Sequence, residues 1–433
     1  METRFTSLSI ESWRQYRKVD IQFHPRLTII TGPNGTGKST ILSLLNRHFG
    51  YSRNYLSTPK KNKKTGVTQF STGVYDWLKS KLSRPEIGSE TVVGSIHYSS
   101  GEVAEIRIPS QNSIQYGVNV SPQPAVHGVH IDSHRPPSVY RQVPNISTSP
   151  LDKANISNSL NNELRNFYQS GNSHEGALFH IKSALIAMSM FGHGNETMEP
   201  DAELIRLFKG FEEKLRIILP KSLGFERLII RMPEVLLSTR SGDFVVDAAS
   251  GGVIKLFEIA WQIYFFSQQH THFVVTMDEP ENHLHPSMQR TFLINLMQAF
   301  PESQFIVVTH SPFIVSSVKD SSVYVLNYVD VEGITEPGFD EDQSIRGLMG
   351  ARVDSEKLDT VNRAGTAAQI LRDALGVSTT IPLWAEERTR EIIEEFKRQP
   401  ITNEALDQLT DQLEREGLVS EIPGAIRELT QKK

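Results

Sequence analysis

Three features of this 433-residue sequence predict an α/β fold built on a mixed sheet. An apolar, β-branched run, Arg26-Leu27-Thr28-Ile29-Ile30-Thr31, leads into a glycine-rich loop and then into an amphipathic helix starting at Ile41. A second apolar run, Phe273 to Met277, ends on two carboxylates, Asp278 and Glu279. A third, Phe305 to Thr309, ends on His310-Ser311-Pro312. Short continuous apolar runs bounded by turn residues read as buried strands.

The first run carries the most specific chemistry. Gly32-Pro33-Asn34-Gly35-Thr36-Gly37-Lys38-Ser39-Thr40 is a P-loop, set between a strand and a helix as that motif requires. Glycines let backbone amides turn inward on phosphate oxygens, and the helix N-terminus adds its dipole. Lys38 then places a cation on the β- and γ-phosphates of ATP, and the Ser39 hydroxyl is a magnesium ligand.

The other half of the site lies far along the chain. Asp278 and Glu279 close an apolar strand in the Walker B pattern. Asp278 is expected to hold Mg2+ through water, and Glu279 to polarise the attacking water. His310, at the end of the next strand, can reach a γ-phosphate and that water. Ala249-Ser250-Gly251-Gly252 opens the apolar helix Val253 to Phe266. Two glycines at a helix start, after a serine, make a further anion site.

In this order the motifs resemble the ABC ATPases, and more narrowly their cytosolic SMC-like branch. Trp13-Arg14-Gln15-Tyr16 is similar to the aromatic-Arg-x-aromatic turn that precedes the P-loop strand there. The stretch Asp278-Glu279-Pro280-Glu281-Asn282-His283-Leu284-His285-Pro286 resembles the OLD-like ATPases of bacterial antiphage systems such as PARIS and Septu. The resemblance covers roughly residues 3–50 and 245–330 well. It implies an ABC-type P-loop ATPase head, a mixed sheet with an antiparallel β subdomain, a short helical insertion and a helical C-terminal region. It also implies a head-to-tail homodimer or higher homo-oligomer. Lys38 and Ser39 of one subunit would hold ATP, with Ser250-Gly251-Gly252 of the other capping it. Arg14 would approach the phosphates, and residues 281–286 would form a D-loop across the interface. Two departures stand out. The signature reads Ala-Ser-Gly-Gly-Val rather than Leu-Ser-Gly-Gly-Gln, and no Q-loop glutamine is evident. Asp132-Ser133-His134-Arg135, after the strand-like Val126 to Ile131, stands in its place by position alone.

Four regions follow: 1–150, an N-terminal ATPase lobe with a β subdomain; 151–245, a helical insertion; 246–330, a C-terminal lobe; and 331–433, mostly helical. Residues 92–120 alternate around Ser99-Ser100-Gly101-Glu102, the pattern of antiparallel strands. Leu204, Ile205, Leu207, Phe208, Phe211, Leu215 and Ile218 line one helix face, which core packing explains. Thr402 can cap a helix carrying Leu406, Leu409 and Leu413, closed by Gly417. No heptad series persists, so a long coiled coil is not expected. Val331-Glu332-Gly333 mimics half of a TOPRIM nuclease, but nothing later supplies the Asp-x-Asp half.

Composition sets the outer limits. Hydrophobic content of 38 % and charged content of 22 % are those of a globular chain. There is no cysteine, which removes disulfides and thiolate metal sites and fits a reducing cytoplasmic setting. No apolar run approaches the length of a membrane span, and the N-terminus lacks signal-peptide features. Net charge is −5, so DNA binding would need a local patch. The basic run Lys60-Lys61-Asn62-Lys63-Lys64 is a solvated loop or a phosphate-backbone contact.

The resemblance to the OLD-like ATPases implies an ATP-driven regulator of a separate nuclease or toxin effector. A RecF-like DNA repair ATPase is the alternative, distinguished by ATP-dependent DNA binding. A transporter motor lacks both its glutamine and a membrane partner.

Overall fold

A computed structural model describes residues 2–61, 66, 68–74, 88–110, 113–136, 139–146, 152–171, 175–330, 351–358, 383–397 and 402–430. The chain divides into two compact units, 1–370 and 371–433.

The first unit begins with a hairpin, β1 (Phe5–Trp13) and β2 (Tyr16–Gln22), followed by β3 (Leu27–Thr31) and α1 (Lys38–Asn46). Short strands β4 (Tyr55–Leu56), β5 (Thr58–Lys61) and β6 (Thr68–Ser71) precede the longer β7 (Glu90–Tyr98) and β8 (Val103–Pro109). Then come β9 (Gln115–Tyr116), β10 (Asn119–Ser121) and β11 (Gly128–Ile131). Three helices follow, α2 (Lys153–Ser170), α3 (Ala177–His193) and α4 (Ala202–Ile218). A small antiparallel sheet of β12 (Phe225–Arg231), β13 (Glu234–Thr239) and β14 (Gly242–Val245) leads into α5 (Gly251–Ser267). The unit finishes with β15 (Val274–Asp278), α6 (Pro286–Ala299), β16 (Gln304–Val308), α7 (Pro312–Val315), β17 (Ser322–Asp330) and β18 (Ala351–Lys357).

An 11-stranded sheet in the order β10-β8-β7-β1-β2-β18-β17-β3-β16-β15-β11 forms the scaffold. Strands β17, β3, β16, β15 and β11 run parallel, while β1, β2, β7, β8 and β10 pair antiparallel. The mixed sheet with its antiparallel subdomain is therefore as the sequence reads. All five residues of β3, β15 and β16 are buried, which is why they appear as unbroken apolar runs. Helix α5 is apolar all round because it is buried all round: Phe257, Ile259, Ala260, Ile263 and Phe265 are each fully inaccessible. Its Trp261 ring packs edge-on to Phe211 of α4 at 4.9 Å. The α4 face expected from spacing is the buried one, through Leu204, Leu207, Phe211, Leu215 and Ile218.

Two regional expectations differ from what the chain does. The 151–245 segment is not wholly helical. It ends in the β12–β14 sheet, whose first strand carries only one fully buried residue and so shows little alternation. The 331–433 segment is not only helical either. Strand β18 returns to the main sheet, antiparallel to β17 and parallel to β2. The Val331-Glu332-Gly333 stretch lies outside the described residues, as do Asn62, Lys63 and Lys64 of the basic run. Lys60 and Lys61 belong to β5.

The second unit holds α8 (Leu383–Phe396), α9 (Asn403–Arg415) and α10 (Ile422–Thr430). Thr402 caps α9, its hydroxyl accepting from the Ala405 N–H, and Gly417 follows with a left-handed φ of 76°. Leu409 and Leu413 pack with Ile392, Ile393, Ala425 and Leu429 in a small core.

Two histidines, His130 buried and His48 half-buried, give the first unit a pH dependence. His48 Nδ1 donates to the Leu45 carbonyl at 2.9 Å, so its Nε2 accepts from the Tyr98 hydroxyl at 2.8 Å. The Thr276 hydroxyl donates to Asn46 Oδ1 at 2.6 Å and lies 3.1 Å from His130 Nδ1, whose N–H it therefore accepts. Burial pushes both imidazoles down to about 4. The folded state thus binds these protons less tightly than the unfolded chain. The stability they lend is present above about pH 6.5 and is lost as pH falls through about 4. Full protonation costs up to about 3 kcal/mol for each. Urea unfolding at pH 7 and at pH 4.5 should show a smaller pH loss in a His48→Gln/His130→Asn variant than in wild type. Equal losses would mean that neither ring is held neutral by the fold.

Candidate nucleotide site

The chemistry gathers where the parallel strands end. Strand β3 runs into the P-loop, whose Gly32 and Gly37 take φ values of 138° and 95°. A Cβ on Gly32 would overlap the Leu326 carbonyl of β17, and one on Gly37 would overlap the Gln15 amide and the Tyr16 hydroxyl. Both positions therefore need glycine for conformation and for space. The Tyr16 hydroxyl donates to the Gly37 carbonyl at 2.6 Å, and burial raises its pKa far above the usual phenol range. The β1–β2 turn is thus a buttress for the loop. Arg14 sits in that turn with a φ of 55°, its guanidinium 5.5 Å from the Tyr55 ring centre.

Lys38 is buried. Its ammonium donates to the loop's own carbonyls, Gly32 O at 3.0 Å and Pro33 O at 2.9 Å. Burial pushes its pKa down to about 8, against the opposing pull of Glu279 and Asp278. Asp278 closes β15 one strand beyond β16. Burial pushes it up to about 6, with the Ser39 hydroxyl bond acting the other way. Asp278 Oδ1 is buried without a hydrogen-bond partner. A hydroxyl and a carboxylate with a spare oxygen fit a hard cation that keeps several of its waters, as magnesium does.

Glu279 follows with a φ of 44°, uncommon for a residue with a side chain and a local strain on the order of 1 kcal/mol. Its N–H donates to the Val308 carbonyl at 2.9 Å, which fixes the end of β15 to the end of β16. His310 Nε2 lies 3.5 Å from Glu279 Oε1. Burial and then the Lys38 charge lower the His310 pKa, so the ring is neutral at neutral pH.

Two further groups complete the arrangement, and sequence reading gave them no individual role. Glu281 is buried, and its Oε1 accepts from the Thr309 hydroxyl, the His310 N–H at 3.1 Å and the Ser311 N–H at 3.2 Å. Its place in the Glu-Pro-Glu run was visible, but its partners, some thirty positions on, were not. Lys182 of α3 donates to both oxygens of Asp247 at 2.9 Å and to the Arg141 carbonyl at 2.7 Å. Asp247 lies three residues ahead of Ser250, so this buried pair ties the insertion to the start of α5.

Ser250 is the N-cap of α5, yet its side chain makes no capping bond, and both Ser250 and Gly251 are exposed. A Cβ on Gly251 would meet nothing within 4 Å. Gly252 is different: a Cβ there would lie 2.9 Å from the His283 carbonyl, so residues 281–286 pack directly on the helix start. His285 caps α6 by accepting from the Ser287 N–H, with Pro286 at the first helical position. Asp132 follows β11, whose Ile131 is paired with Met277, so Asp132 stands next to Asp278. Beyond it Arg135 is buried, 3.5 Å from Glu258 of α5.

A strand-end P-loop, a carboxylate pair and a histidine on one edge of a mixed sheet define an ABC-type P-loop ATPase head. Residues 7–124 match a family described as "AAA domain", and residues 142–316 match "AAA domain, putative AbiEii toxin, Type IV TA system". Septu protein PtuA of Bacillus thuringiensis is 23 % identical over 395 residues, 88 % of this chain and 87 % of that protein. Retron Vc95 probable ATPase of Vibrio cholerae serotype O1 biovar El Tor is 39 % identical over 57 residues. That match spans 13 % of this chain and 11 % of the retron protein's length. The SMC head domain from Thermotoga maritima aligns over 82 % of this chain and 99 % of its own, at 13 % identity and a TM-score of 0.39. The chain is an ATPase of the AAA/ABC type, related to retron ATPases and to Septu PtuA.

Glu281 gives this geometry a test. Glu281→Ala leaves the Thr309 hydroxyl and the His310 N–H without their acceptor, while the Ser311 N–H keeps Thr309 Oγ1 at 2.9 Å, so His310 loses its seat. Turnover of ATP should fall by about 10²-fold, as a displacement near 1 Å can cause. The affinity for ATP should hold, because Lys38 is untouched. Glu281→Gln keeps one carbonyl acceptor and should recover most of the rate. Equal kcat in the wild type and the alanine variant would remove Glu281 from this role.

Proposed function

We propose that two copies of this chain close head to tail around two molecules of Mg-ATP, and that hydrolysis times the control of a separate effector. The carrying observation is the contrast between two surfaces. One edge of the sheet holds a complete phosphate half-site: Lys38, Ser39, Asp278, Glu279 and His310. The start of α5 lies open instead, with Ser250 and Gly251 exposed and the serine hydroxyl unspent on its own helix. An uncapped helix N-terminus with glycines suits a γ-phosphate brought by another subunit.

Within such a closed site, Lys38 exchanges its loop carbonyls for the β- and γ-phosphates. The amides of Gly35, Thr36 and Gly37 cradle the phosphates, with Pro33 and Asn34 shaping the turn and Thr40 following in α1. Magnesium, held by Ser39 and through water by Asp278, would neutralise charge on the phosphates. Glu279 polarises the attacking water, and His310 steadies both that water and the γ-phosphate. Arg14 approaches the phosphates from the β1–β2 turn. Similarity to Septu PtuA along 88 % of the chain supports a role in antiphage defence beside a nuclease or toxin.

Lys38→Ala should abolish ATP binding in calorimetry, since the phosphates lose their main side-chain cation. Ser250→Arg should bind ATP normally but hydrolyse it poorly. Mixing these two variants restores one of the two sites in a mixed dimer, so part of the activity should return. A mixture no more active than either variant alone would sink the composite site.

Glu279→Gln separates chemistry from switching. The general base contributes about 10²–10⁴-fold to rate, so single-turnover hydrolysis should slow by that factor. Light scattering should then show dimers accumulating with Mg-ATP. Slow hydrolysis without any change in oligomer size would leave the chemistry standing and overturn the switch.

A further inference from the structure

Three segments far apart in sequence meet near the amino ends of β11 and β15, away from the nucleotide edge. They bring together Glu2, just ahead of β1; His127, the residue before β11; and His270, between α5 and β15. The ligand-type atoms of all three lie within 4.8 Å of one another. His270 Nδ1 is 3.7 Å from Glu2 Oε1. The two imidazoles stack with centroids 4.0 Å apart and planes inclined by 18°.

Each group is held in place by something other than its neighbours in the trio. The His127 carbonyl accepts from the Val274 N–H at 2.9 Å. Glu2 Oε2 accepts from the His272 N–H at 2.6 Å, which leaves Oε1 turned toward His270. The His270 ring packs on Phe266 at 4.8 Å. Arg4 reaches His272 Nδ1 at 2.8 Å and the Glu302 carbonyl at 3.1 Å, bracing the same loop. Glu2, Thr3, Ala125, His127, Thr271 and His272 line an open recess over this spot.

We propose that Glu2, His127 and His270 bind one divalent transition-metal ion, with zinc the best match. Two imidazole nitrogens and one carboxylate oxygen, with room for solvent, are a donor set that zinc accepts readily. Magnesium and calcium prefer all-oxygen shells, so this site would not compete for the nucleotide's cation. The two ring planes are nearly parallel, so their in-plane lone pairs converge on one ion only once the exposed His127 ring turns out of the stack. The ion would clip the start of β1 to the entrances of β11 and β15. The five residues of β15 span roughly 13–17 Å, so the ion sits too far from the P-loop edge to take part in phosphate chemistry.

The test uses the full chain, free of any affinity tag and stripped with chelator. Zinc alone is titrated by calorimetry, and thermal unfolding is followed with and without it. Wild type should bind one ion and unfold at a higher temperature when zinc is in excess, since a ligand of the folded state stabilises it by mass action. His127→Ala/His270→Ala should lose both the binding and the shift while still binding Mg-ATP. Glu2→Gln, a change at the chain's edge that leaves packing intact, should weaken zinc binding by about tenfold or more. It carries the test alone if the double variant fails to fold. Equal zinc binding by wild type and Glu2→Gln, or no thermal shift in wild type, would overturn the site.

Discussion

Four strands, β3, β16, β15 and β11, run parallel and in register, and the catalytic edge depends on that register. Gly128 faces Val274, Val274 faces Gln304, and Val308 faces Ile30. Asp132 and Asp278 therefore finish level with Val308 and Ile30, and His310 and Gly32 follow two residues beyond that level, although the four are scattered over most of the chain. Hydrogen bonds at the strand ends pin the alignment. The Glu279 N–H donates to Val308, the Thr309 N–H to Ile30, and the Thr31 hydroxyl to the Thr309 carbonyl at 2.8 Å. A slip of one residue in any strand would move its terminal group by about 3.3 Å and turn it to the opposite face. Open α/β sheets bind ligands beyond the carboxyl ends of their strands for this reason.

The same burial that fixes the geometry sets the electrostatics. Lys38 is pushed down to about 8 and Asp278 up to about 6, so each is pressed toward its neutral form. Lys38 compensates by bonding to its own loop, whereas Asp278 keeps one oxygen unpaired. A triphosphate with its cation reverses both pressures: phosphate charge favours the ammonium, and the cation favours the carboxylate.

What could be read from sequence was what is local. The P-loop, the carboxylate pair and His310 each occupy one short segment, with a buried strand announcing the position. The cap of α9 by Thr402 and the buried face of α4 were legible for the same reason. Contacts between distant segments were not. Strand β18 contains Arg352, Asp354, Glu356 and Lys357, and among its described side chains only Val353 is fully buried, so no apolar run marks it. Glu281 reads as one acid among several until Thr309, His310 and Ser311 fold over it. Lys182 looks like a surface residue of α3 but is fully buried against Asp247. The Lys182 ammonium and Glu281 Oε1 are buried polar groups that partners from elsewhere satisfy, whereas Glu281 Oε2 is buried without one.

Residues 281–286 join two parts of the site that the sheet alone would leave separate. On one side Glu281 holds the backbone of His310 and Ser311. On the other, the His283 carbonyl, on a residue with a φ of 73°, lies against Gly252 so closely that a methyl group would not fit. The His310 backbone therefore cannot shift without either breaking its Glu281 bond or pulling on the loop. Pulling on the loop presses on the second residue of α5. In a head-to-tail pair that helix start would face the partner's nucleotide, so loss of phosphate at one site would be felt at the other. Asp247, held by Lys182, ties the segment just ahead of α5 to α3. This is a physically contiguous route, and it becomes a functional coupling only if its two ends favour different arrangements.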